Sequence, residues 1–156
     1  MLKLALIGAV LIAITVAIHA VGTAYLVRHL ASTFLERTGG WGLKRVLSAL
    51  MLAALILVFL HAIEIIVWAG AYKAIVPSGE LADFESVVYF SFVTFTTLGY
   101  GDITLSEGYR LLSGIQALNG ILLVGWSTAL MFAVVQKAWQ LHVAEEMAGA
   151  KSEFKE

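Results

Sequence analysis

The chain has 156 residues, 60% hydrophobic and 13% charged, with a mean hydropathy of +0.90 and a net charge of -1. Soluble domains carry about 25% charged residues, so this composition excludes an ordinary soluble fold and makes a lipid bilayer the natural surroundings. The near-neutral charge offers no hold on nucleic acid, and the lack of cysteine excludes disulfides, thiolate metal sites and cysteine nucleophiles.

Leu4 to Val27 is an uncharged run of about 24 residues. As a helix it would reach roughly 36 Å, enough to cross a hydrocarbon core of about 30 Å. Lys3 ahead of the run and Thr15-Val16-Ala17 inside it have the look of a secretory signal, but the run is longer than the usual apolar core of one. It is read as a first transmembrane helix. Arg28 to Arg45 turns polar and basic and is broken by Gly39-Gly40-Trp41-Gly42, as expected of a short connection. Val46 to Tyr72 is the second long apolar run, interrupted by His61 and Glu64 and closed by Trp68 and Tyr72, whose rings favour the headgroup level. Lys73 to Ala82 holds the only proline, Pro77, and reads as an exposed loop, with Asp83 placed to cap a helix starting at Phe84.

Phe84 to Thr96 is apolar and aromatic but reaches only roughly 20 Å as a helix, too short to span, which suits a re-entrant half-helix. Leu111 to Leu141 is the last long helix; Gln136, Lys137, Trp139 and His142 mark its exit into water, and the acidic tail beyond is expected to fray. Because Lys and Arg in short loops stay cytoplasmic, Arg28 to Arg45 is expected inside. The N-terminus and the loop from Lys73 to Asp83 then lie outside, the half-helix enters from outside, and the C-terminus is cytoplasmic, in a multi-pass cell-membrane protein.

Between the half-helix and the last helix stands Thr96-Thr97-Leu98-Gly99-Tyr100-Gly101-Asp102. Irregular backbone at membrane depth leaves carbonyls without partners and is tolerated only where protein or a polar pore surrounds it. Gly99 and Gly101 can take left-handed backbone angles at little cost, so alternate residues can aim successive carbonyls the same way. The segment from Ser91 to Asp102 resembles the pore loop of potassium channels, whose TVGYG loops replace the ion's hydration shell with carbonyl oxygens from four chains. The resemblance runs on through Arg110 and the helix carrying Gly120.

That resemblance implies an all-α membrane protein with three transmembrane helices, a re-entrant pore helix and a selectivity-filter loop, assembled as a homotetramer around a central pore. Its transported ion would be K+, its surroundings the lipid bilayer, and nucleic acid no partner. It implies K+ coordination by the carbonyls of Thr97, Leu98, Gly99 and Tyr100, an inner site closed by the Thr97 hydroxyl, and an outer mouth completed by Gly101. Tyr89, Thr96 and Asp102 would support the filter, Gly120 would be the hinge of the inner helix, and Ile121, Val124 and Thr128 would wall the cavity. The domains expected are 1–45 (first helix and basic connection), 46–141 (pore domain) and 142–156 (short cytoplasmic tail). The chain departs from the family pattern at Leu98, where Val or Ile is usual. Phe90 stands at a frequent tryptophan, and Val93 where some channels carry a glutamate, so Tyr89 is the residue expected to donate to Asp102.

Other polar residues lie at membrane depth. His61 and Glu64, three apart, share a helix face. They suit either a proton- or metal-linked site including His19, or a hydrogen-bonded pair locking helices together. Gln116 and Asn119 would either line the cavity or brace the back of the filter, and Gly114, Gly120 and Gly125 would permit close helix contact. No segment carries arginine at every third position, so steep voltage gating is not expected, and the tail from Gln136, about 20 residues, is too short for a ligand-binding domain of ordinary size, so none is expected there. The alternatives to a K+ channel are a nonselective cation channel, or a membrane metal protein built on His19, His61 and Glu64. An enzyme is not expected.

Overall fold

A computed structural model describes residues 1–35, 43–77, 79, 81 and 83–153. Among the described residues four helices follow in order: α1 (Leu2–Leu35), α2 (Leu43–Ile75), α3 (Phe84–Phe95) and α4 (Arg110–Glu153). Three stretches, Leu2–Ser32, Leu43–Ile75 and Arg110–Ala144, are long and apolar enough to cross a membrane. The 12 residues of α3 reach about 18 Å and cannot. The chain is an all-α, multi-pass membrane protein with three long apolar helices and one short one.

The helices outrun the apolar runs that announce them. α2 takes in Lys44, Arg45 and Lys73, since long basic side chains are good helix formers that extend their heads toward water. Its last turn closes with Val76 N–H donating to the Tyr72 carbonyl at 2.9 Å, and Pro77 then disfavours helix at the residue before it. The tail expected to fray is helical to Glu153, because Ala144 to Glu153 is rich in alanine and glutamate. The centre of the basic connection, with Arg37 and Gly39-Gly40-Trp41-Gly42, lies outside the described residues.

The chain divides into two compact units, Met1–Val21 with Phe59–Gly125, and Gly22–Val58 with Trp126–Glu156. The first holds α3, the TTLGYGD loop and a core of Leu11, Trp68, Tyr72, Val87, Phe90 and Leu112. The second buries Leu26, Leu30, Ala53, Leu57, Val134 and Ala138. Burial follows the logic of lipid. Large apolar side chains such as Leu6, Val10, Leu55, Phe59 and Leu118 are exposed, while Thr15, His19, Glu64, Ser91, Gln116 and Asn119 are buried. Hydrocarbon solvates leucine as well as a protein core does, so polar groups rather than apolar ones seek the interior.

Candidate functional site

α3 is aimed by its ends. Asp83 caps its start, accepting from the Ser86 amide at 2.6 Å, and that bond holds the Asp83 carboxyl below the usual carboxylate range. At the other end Leu98 N–H donates to the Val93 carbonyl and Thr97 N–H to the Thr94 carbonyl, both at 3.0 Å. With Thr96 as the cap residue this is a Schellman closure, a position at which glycine is the usual left-handed residue. Here Thr97 occupies it, at φ 60°. A β-branched residue in that region is a genuine outlier, held against a cost of roughly 1–3 kcal/mol.

Gly99 has φ 54° and Gly101 φ 78°, so every second residue of the loop is left-handed. Such alternation turns successive carbonyls toward one side. Among the described residues no backbone hydrogen bond ends on the carbonyls from Thr97 to Gly101. Leu98 and Tyr100 are exposed in the single chain. The loop is tied at its outer end, where the Tyr89 hydroxyl donates to Asp102 at 2.7 Å and lowers the Asp102 carboxyl below its ordinary range. Thr96 donates its hydroxyl back to the Phe92 carbonyl at 2.9 Å. Arg110 Nε donates to the Leu105 carbonyl at 3.1 Å, fastening the chain where α4 begins. A cavity of about 400 Å³ lies beside the loop, lined by Tyr89, Val93, Thr97, Gly101, Asp102 and Ala117 among others.

Buried polar side chains hold the helices around the loop. Gln116 of α4 donates to the Ser91 hydroxyl at 2.8 Å and the Ser91 carbonyl at 3.1 Å, and its oxygen accepts from the Tyr72 hydroxyl at 2.8 Å. Ser91 in turn donates to the Ile65 carbonyl at 2.8 Å. Gln116 therefore braces the half-helix and does not line a cavity. Asn119 donates to Thr15 of α1 at 2.8 Å, joining α4 to α1. Phe90, which has no indole to offer, packs edge-on against Tyr72 with ring centroids 5.1 Å apart.

His61 and Glu64 do pair, at 2.9 Å, and His19 joins them: its Nδ1 lies 2.8 Å from the other carboxylate oxygen. The two imidazoles stack 5.3 Å apart, and His19 and Glu64 are fully buried. One ligand atom from each of the three residues lies within 4.8 Å of the others, a spacing that could hold a metal ion. His61 also touches the Phe95 ring, with centroids 5.6 Å apart.

The last helix corrects part of the glycine expectation. A Cβ at Gly120 would strike the Phe95 carbonyl oxygen, so only glycine lets α4 pass this close to the end of α3. Gly114 and Gly125 have open space around them within the chain and make no such contact. Gly8 of α1 does, since a Cβ there would come within 2.8 Å of Ile115. Ile121 and Val124, like Thr128, are exposed on α4. Sequence reasoning gave no helix-joining role to Thr15, Ser91 or Gly8; small and hydroxylated residues inside an apolar helix are the signal that would have found it.

A family model described as "Ion channel" matches residues 60–137, half of the chain. Comparison with curated proteins and with solved structures gave no match.

Proposed function

The chain belongs to the ion channel family, and on that premise we propose that it conducts K+ passively across the membrane as a homotetramer. Its function is transport rather than catalysis. The observation that carries potassium is the left-handed backbone at Thr97, Gly99 and Gly101, which leaves a run of carbonyls free to replace an ion's water. One chain supplies one wall of such a site, and four supply the ring. Ions then sit between the carbonyls of Thr97, Leu98, Gly99 and Tyr100, with the Thr97 hydroxyl at the inner end and Gly101 at the mouth.

The end of α3 carries about half a negative charge, which favours a cation in the cavity below the filter. Gly120 serves as the inner-helix hinge, and the exposure of Ile121, Val124 and Thr128 suits cavity walls. Residues 46–141 form the pore domain, with 1–45 and 142–156 as its flanks, and the family match falls inside it. The basic residues Arg28, Lys44 and Arg45 support a cytoplasmic connection, an outer N-terminus and an inner C-terminus. Purified protein in liposomes should pass rubidium and potassium but not sodium, with block by barium. Equal sodium permeability would replace this reading with a nonselective cation channel.

A second reading is favoured by the His19, His61 and Glu64 cluster: a membrane protein whose bound ion is a metal held by side chains. Metal uptake without any rubidium flux in the same liposomes would select it.

A further inference from the structure

We propose that His19, His61 and Glu64 form a divalent transition-metal site, with zinc as its natural occupant, clamping α1 to α2. This names the metal for the cluster on which the second reading rests, and it holds whichever ion passes the filter. Two helices supply the donors: His61 and Glu64 from successive turns of α2, His19 from α1. Pairs of His and carboxylate three residues apart are how helix bundles present metal ligands inward. Both Nδ1 atoms already converge on one carboxylate, at 2.8 and 2.9 Å from its two oxygens.

A tetrahedral zinc with bonds of about 2.0–2.2 Å needs ligand atoms roughly 3.3–3.6 Å apart. The three donor atoms lie within 4.8 Å of one another, so small side-chain movements reach that geometry. Two imidazoles and one carboxylate suit zinc, whereas magnesium and calcium require oxygen ligands throughout. A divalent ion would set positive charge against the fully buried Glu64 carboxylate, at a depth where an ionised group needs a close partner. Phe95 and Ile65 pack in the apolar surroundings. His61, 17% exposed, is the edge from which an ion arrives.

The test uses the full chain in detergent micelles, stripped by a chelator and then titrated with zinc, cobalt or magnesium. One zinc per chain, a higher thermal midpoint with zinc but not magnesium, and the intense visible absorption of tetrahedral cobalt are expected. His61→Gln and Glu64→Gln should each weaken zinc binding by about 100-fold or more, since even indirect supports of a metal are worth 10–100-fold. Wild-type protein that binds no more zinc than His61→Gln overturns the site. So does an absence of the cobalt band at stoichiometric metal, a readout that needs no folded variant. Potassium flux of the chelated protein is measured separately, so loss of the metal site and loss of the channel reading are distinguishable.

Discussion

The TTLGYGD loop and the His19–Glu64–His61 cluster use opposite materials. The loop offers backbone carbonyls, freed by left-handed residues and largely exposed in a single chain. The cluster offers side chains, closed within one chain, with His19 and Glu64 fully buried. Backbone oxygens held by φ and ψ are weak and uniform, which suits an ion that must leave again. Imidazole and carboxylate in an apolar setting hold tightly, which suits fastening. The two meet at Phe95, whose ring touches His61 and whose carbonyl faces Gly120.

Substitutions separate them. The largest effect is expected from Gly99→Ala: a side chain at φ 54° costs roughly 1–2 kcal/mol in each chain of the proposed tetramer, so rubidium flux should fall at least about 100-fold. The thermal midpoint should fall by only a few degrees, as about 1–2 kcal/mol per chain implies; a much larger drop would mean that the loop, too, is a fastening. Gly120→Ala drives a methyl group into the Phe95 carbonyl, where backbone must move, and should cost about 1–3 kcal/mol in unfolding experiments. Flux should fall as well, because the contact joins both regions. Thr15→Val removes the acceptor of Asn119 and should cost about 0.6 kcal/mol, the average for a hydrogen bond between membrane helices, with sodium exclusion intact.

The smallest effect belongs to Tyr89→Phe. The folded-state value of Asp102 is lowered chiefly by the Tyr89 hydrogen bond, so its contribution is present above the ordinary carboxylate range and is lost as pH falls through the lowered value. Without the tyrosine hydroxyl that loss should begin at higher pH. An acid titration of flux from the loop's side, wild type against variant, reads the displacement.

How much of this the sequence disclosed obeys the same division. Backbone chemistry announces itself locally: Gly99, Gly101 and the short run before them identify the loop, the Asp83 cap is legible from position alone, and the Tyr89–Asp102 bond follows from the resemblance to pore loops. Side-chain chemistry between distant helices does not. His61 and Glu64 share a face by spacing, and the first apolar run offers His19 to them, but nothing in the spacing fixes that its turn of α1 is the one that meets them. Gln116 and Asn119 likewise had two roles open until the neighbours Ser91 and Thr15 were in place. Thr97 is the informative case, because a Schellman closure would ordinarily call for glycine. Its threonine reads locally as a poor choice and becomes intelligible only if its hydroxyl has a use.

Thr15 and His19 lie one turn apart on α1, one reaching Asn119 of α4 and the other Glu64 of α2. Chain order gives this arrangement a meaning for biogenesis. Synthesis runs from the N-terminus, so α1 reaches the bilayer before α2 and α4. When α2 arrives, carrying a carboxylate that lipid receives badly, its imidazole partner is already in the membrane. When α4 comes after it, the hydroxyl that Asn119 needs is waiting as well. On that order of synthesis the first helix offers partners to the polar residues of the two helices that follow, which would otherwise be stranded in hydrocarbon.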